Sequence, residues 1–212
     1  GRGQGVLGVR MAWQRPDGTT MLQEDTRFIF RGGADRRVID RITRLTAVNR
    51  QVEMPDNKEG FVALRVRREL EHMPEGPVHI VGEDGEPMDE SVEHSEGVSG
   101  SYLNANGTTD RAVWGERSPW VVLNGVIDGD SVGVAILDHP ENVGHPTYWH
   151  ARGYGLFSAN PLGQSIFSEG ADSLGFALES GESVTFRYRI LVLDGGAGAE
   201  EMEAEYAAWA EQ

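Results

Sequence analysis

Along most of the chain apolar and polar residues alternate with period two, the pattern of β-strands that each cover one face. Residues 6–14 place Leu7, Val9, Met11 and Trp13 on one side, and Arg15-Pro16-Asp17-Gly18 turns the chain back into 19–31, where Phe28 and Phe30 share a face. Residues 37–54 stay rich in β-branched side chains, but their apolar parity slips, which calls for a bulge or for two short strands. In 61–67, Val62, Leu64 and Val66 oppose Phe61, Arg65 and Arg67. Residues 120–127 and 132–137 flank the turn Asp128-Gly129-Asp130, and the second is apolar on both faces, as an inner strand is. Residues 148–156 read as one strand with Tyr148, His150, Arg152 and Tyr154 on one side and Trp149, Ala151, Gly153 and Gly155 on the other. A dry core does not accept such a polar row without partners, so a concave, wetted face is expected there. Short strands are expected near 166–167 and 175–178, and 184–193 turns Val184, Phe186, Tyr188, Ile190 and Val192 to one side. Only 199–211 reads as a helix, with Met202, Tyr206 and Trp209 at helical spacing and Glu200 and Glu201 in its first turn.

These elements predict a mostly β protein: an antiparallel β-sandwich in one domain, 1–212, closed by a C-terminal helix. Residues 71–99 break the pattern; Glu, Gly, Pro, Asp and Ser dominate, and a long acidic loop excursion with one short strand at 78–81 is expected. The surface histidines His72, His79 and His94 fall in it. At 212 residues and 39% hydrophobic content the chain can bury a substantial core. Its 34 acidic against 19 basic side chains give a net charge of -15, which repels phosphate backbones and anionic bilayers and so argues against nucleic-acid and membrane partners. With no cysteine, disulfides, thiolate zinc sites and a cysteine nucleophile are excluded. No apolar run approaches the roughly 18 residues of a membrane span. The chain starts at Gly1, so the cytoplasm is only slightly favoured and a removed targeting segment stays open.

Chemistry concentrates in residues 138–163, which hold three histidines among aromatic, arginine and asparagine side chains. Glu59 or Glu116 with His150 would supply acid-base chemistry, since a carboxylate and an imidazole are tunable to opposite protonation states near neutral pH. Trp114, Trp120, Tyr148, Trp149 and Tyr154 would stack on sugar rings, and Arg65, Arg152, Asn142 and Asn160 would bond hydroxyls. The bland alternative is a structural ion-pair network of Glu59, Glu116, Arg65, Arg152, Arg187 and Arg189. No cofactor is expected on the first reading. A second takes His139, His145 and His150 as ligands of a divalent metal, assisted by Asp138 or Glu141, although their spacings match no helical metal motif. A third is a non-catalytic binding or structural module, and a homo-oligomer is open on all three. No phosphate-loop or dinucleotide fingerprint occurs.

Further runs are distinctive in combination: Asp56-Asn57-Lys58-Glu59-Gly60-Phe61, Gly100-Ser101-Tyr102, Val113-Trp114-Gly115-Glu116-Arg117, Asp138-His139-Pro140-Glu141-Asn142, Trp149-His150-Ala151-Arg152, Ala159-Asn160-Pro161 and Phe186-Arg187-Tyr188-Arg189. Together they resemble a bacterial domain family labelled methane oxygenase PmoA, or PmoA-like. The label misleads, because the membrane-bound copper subunit it alludes to is built of transmembrane helices. The resemblance implies an antiparallel sandwich similar to the galactose-mutarotase-like supersandwich, an association with sugar catabolism, and an additional N-terminal portion in other members.

Overall fold

The computed structural model describes residues 3–73, 78–82, 86–92 and 96–212. Its strands are β1 (Gln4–Gln14), β2 (Thr20–Gly32), β3 (Arg36–Ala47), β4 (Val52–Met54), β5 (Val62–Arg65), β6 (Val78–Val81), β7 (Pro87–Val92), β8 (Ser101–Asn104), β9 (Trp120–Ile127), β10 (Asp130–Asp138), β11 (Tyr148–Ala151), β12 (Leu156–Asn160), β13 (Phe176–Leu178) and β14 (Ser183–Asp194). Helix α1 is the single turn Gln164–Phe167, and α2 spans Ala199–Ala210. All strand pairs are antiparallel.

Seven strands form the main sheet in the order β1-β2-β3-β14-β10-β9-β8, and β11-β12-β5 form a smaller sheet. Partners in an antiparallel ladder share a face, so register assigns each side chain to one side. Val121, Leu123, Ile136, Phe186 and Tyr188 of the main sheet meet Trp149, Phe157, Ala159 and Val62 of the small one in the larger core. On the opposite side Trp120, Val122, Leu137 and Leu191 receive Met202 and Trp209 of α2. The strand β10 is therefore covered on both faces, which explains its lack of alternation.

The helix is also fastened by charge. Asp40 accepts hydrogen bonds from Arg189 Nε at 2.6 Å and Nη2 at 3.1 Å, and Arg31 joins them. Glu205 of α2 pairs with Arg36 at 2.7 Å, and the Arg189 guanidinium lies 5.4 Å from the Trp209 ring centre. Burial works against the Asp40 charge, yet the bonds from Arg189 and Arg31 outweigh it and hold the carboxyl below its usual pKa.

Several expectations change. The slip in 37–54 is resolved as two strands, β3 and β4, in different sheets. Residues 148–156 do not form one strand: β11 stops at Ala151, residues 152–155 turn, and β12 runs back, with Arg152 N bonded to Leu156 O at 2.7 Å. The cause lies at Gly155, whose φ of 79° suits a glycine turn and not an extended strand. The expected strand at 166–167 is instead part of α1, because two apolar residues after Gly163 are too few to define a period. The 71–99 excursion contains a hairpin, β6 with β7, whose second strand is too polar to show alternation. His72 is half-buried with Nε2 3.3 Å from Asp110, while the surface placements expected for His79 and His94 fall outside what is described.

Candidate functional site

Tyr148 and His150 do share the outward side of the small sheet, with Ser158 and Asn160 as their cross-strand partners. That side is not wetted. Tyr148 is 6% and His150 3% exposed, since two segments roof them. One is 55–61: Ser158 Oγ donates to Gly60 O at 2.9 Å, Asn160 Nδ2 donates to Asn57 O at 2.7 Å, and Phe61 N reaches Ala159 O at 2.8 Å. A Cβ on Gly60 would stand 2.6 Å from Asn160 Oδ1, so only glycine lets the roof lie this close. The other segment carries α1, whose Phe167 stacks on Tyr148 at 5.6 Å between ring centres and tilts over His150 at 5.8 Å. Asp56 ties the two together by accepting from Ser165 N at 2.7 Å and Leu174 N at 3.2 Å. The polar side chains of Ser158 and Asn160 on this side thus satisfy the backbone of the cover.

His150 is fixed through its ring: Nε2 accepts from Arg152 Nε at 2.9 Å. Burial, with the Arg152 charge next, lowers its pKa against the opposing pull of Glu59, so the imidazole is neutral at pH 7. Arg152 in turn lies over the Trp114 ring, 4.9 Å from its centre.

Open space lies beside the 55–61 segment. A cleft of about 490 Å³ runs between that segment, β4 and the turn end of the β1-β2 hairpin. Trp13, Met54, Phe61 and Leu162 give it apolar walls, and Glu53, Asn57 and Glu59 bring polar groups to it. Trp13 is held by its indole Nε1, which donates to Glu24 Oε2 at 2.8 Å. Glu24, only 2% exposed, also accepts from the Thr26 hydroxyl at 2.5 Å and has Arg41 at 3.5 Å. Phe61 is anchored on Phe186 at 4.3 Å between ring centres. A cleft of this size with aromatic walls and a few convergent polar groups has the dimensions of a small-molecule site.

The other residues singled out from the sequence scatter. Glu59 lines the cleft and is exposed, 3.7 Å from Lys58. Glu116 accepts from Asn104 Nδ2 at 2.8 Å, away from His150's ring partners. Arg65 lies over Tyr154 at 5.7 Å and bonds its carbonyl, at the turn end of the small-sheet hairpin. Asn142 belongs to a buried knot: Asp138 Oδ1 accepts from Asn142 Nδ2 at 2.7 Å, Asp138 Oδ2 accepts from Thr147 N at 2.9 Å, and Asn142 bonds both backbone groups of Arg187. The ion-pair network expected of Glu59, Glu116 and the arginines does not form as such, for Arg189 pairs with Asp40 and Arg187 with Glu141.

The three-histidine metal site is not assembled. His145 Nδ1 bonds Asp138 Oδ2 at 2.8 Å and His139 abuts Trp209 edge-on, while His150 is held by Arg152 on the small sheet. Among the described residues no group of three His, Cys, Asp or Glu side chains is placed to hold a metal ion. Sequence reading missed Trp13, Met54 and Phe61 as cleft residues. Trp13 carried one signal, an aromatic at the end of an alternating strand next to a turn, but nothing local told that its face is uncovered. Among the described residues no helix is long and apolar enough to cross a membrane.

No curated protein and no solved structure matches the chain. A family model does, over residues 1–207, and on that match the chain belongs to the family of unknown function DUF6807.

Proposed function

We propose that the cleft beside Trp13 binds an uncharged, sugar-like small molecule. The observation that carries this reading is the joint placement of Trp13 and Phe61 with Glu53, Asn57 and Glu59 around one cleft of about 490 Å³. A sugar ring has an apolar face for an indole and a rim of hydroxyls for carboxylate and amide acceptors. The carboxylates, in a chain of net charge -15, disfavour phosphorylated, sulfated and nucleic-acid ligands. The resemblance to PmoA-like supersandwich domains points to the same ligand class.

Binding is favoured over catalysis because His150 is buried, has its Nε2 engaged by Arg152 and is roofed by Phe167. A sugar-modifying enzyme built on Glu59 and His150 requires Arg152 to release Nε2 first.

Titration calorimetry with neutral mono- and oligosaccharides tests the binding reading. Saturable binding to the native chain, weakened about tenfold or more in Trp13→Ala, is expected, since tenfold corresponds to 1.4 kcal/mol. No binding across the neutral panel, or binding indifferent to Trp13, contradicts it.

A further inference from the structure

Among the described residues the main sheet ends in a free edge. Strand β1 pairs only with β2 among the described residues, along all eleven of its positions, and its outer backbone groups face no other strand. Protected edges carry proline, lysine or short length. This one has neither residue, and its only charge is Arg10. Val6, Leu7, Met11 and Trp13 are 56, 50, 44 and 37% exposed, and Phe30 on β2 adds 39%. We propose that two copies of the chain join edge to edge through β1, in antiparallel pairing about a two-fold axis at Val9, so that the sheet continues from one copy into the other.

The register follows from the sequence of the strand. Antiparallel partners must share a face, so a residue can oppose only one of its own parity. With the axis at Val9 the whole strand is paired, Gln4 opposite Gln14. Leu7 then meets Met11 of the second copy, Val6 meets Ala12, and Trp13 lies across from Gly5, an aromatic over a residue with no side chain. Arg10 faces Gly8. Moving the axis to Arg10 would set two arginines opposite each other, and moving it to Gly8 would leave the Trp13 end of the strand unpaired.

Charge points to the same edge. Two chains of net charge -15 repel over most of their surface. Residues 4–32, by contrast, hold Arg10, Arg15, Arg27 and Arg31 against Asp17, Glu24 and Asp25, so at the hairpin like copies meet little of that repulsion. The exposed side chains of one strand offer area at the lower end of stable interfaces, roughly 600 Å² per partner, which sets the expectation of a dimer that dissociates at micromolar concentrations. The start of the second copy's β1 would lie beside Trp13, next to the cleft.

Sedimentation equilibrium of the native chain is expected to show a monomer-dimer equilibrium. Val9→Lys, which sets two ammonium groups face to face on the axis, is expected to leave a monomer with an unchanged circular dichroism spectrum and Tm. Because the chain has no cysteine, Val9→Cys supplies an independent reading. Directly opposed residues have Cα atoms about 4.5–5.5 Å apart, within disulfide reach, so mild oxidation is expected to yield a covalent dimer. Val6→Cys is not, since its counterpart is displaced six residues along the strand, roughly 20 Å. A native chain that stays monomeric at about 100 μM, a dimer that survives Val9→Lys, or equal cross-linking at positions 6 and 9 each overturns the proposal.

Discussion

Near its two ends the main sheet carries apolar side chains on the same face in opposite environments. At one end Val121 and Leu123 of β9 are 0% exposed, closed in by the small sheet; at the other, Leu7 and Met11 of β1 are 50% and 44% exposed among the described residues. Alternation states that a strand has an apolar face, while burial depends on whether a remote segment arrives to cover it. Residues 55–61 and the hairpin 148–160 cover the middle of the sheet and stop short of β1. The cleft is the step where that cover ends.

If that contrast is right, substitutions at the covered end cost stability and those at the open end cost binding. The largest effect is expected at Trp149, fully buried with its indole Nε1 donating to Ser118 O at 2.9 Å: Trp149→Ala should lose about 3–5 kcal/mol in urea denaturation. Asp138→Ala strips the acceptor from Asn142, His145 and Thr147 and should lose about 3 kcal/mol by the same measurement. A third test uses pH. The pKa values of His139 and His150 lie below 6.5 in the fold, in both cases chiefly by burial, so the unfolded chain binds their protons first. Their contribution is fully present above about pH 6.5 and is lost as the pH falls from there toward the folded pKa values. Thermal melts should show that decline, and His150→Gln should flatten it. At the open end, Trp13→Ala should cost about 1–3 kcal/mol, because it strips a donor from the buried Glu24 carboxylate although a third of the residue is already in water, and it should remove most sugar binding. The smallest effect is expected from Glu59→Gln, an exposed side chain, with no measurable loss of Tm.

Much of the fold was legible in the sequence. The β1-β2 hairpin, the inner strand β10, β9 and helix α2 rest on local signals: a Pro-Asp-Gly turn, a run apolar on both faces, and helical spacing of Met202, Tyr206 and Trp209. The hairpin at 148–160 was missed, since Gly155 reads as a small residue in a strand as readily as a turn glycine. The site was less legible. Tyr148, His150 and Asn160 looked like a binding face because they are polar on a strand, and their partners, Asn57, Arg152 and Phe167, come from segments whose arrival no local pattern announces. Glu59 was the one candidate that the fold brings to the cleft, alongside Trp13 and Phe61, which the sequence did not single out as site residues.

The most direct test follows amide and indole resonances of the isotope-labelled chain while a binding neutral sugar is added. Shifts should centre on the Trp13 indole N–H and the amides of 52–63, with the Trp149 indole unmoved. Shifts centred instead on Trp114 and Arg152 would place the ligand on the roofed side of the small sheet and contradict the cleft as the site.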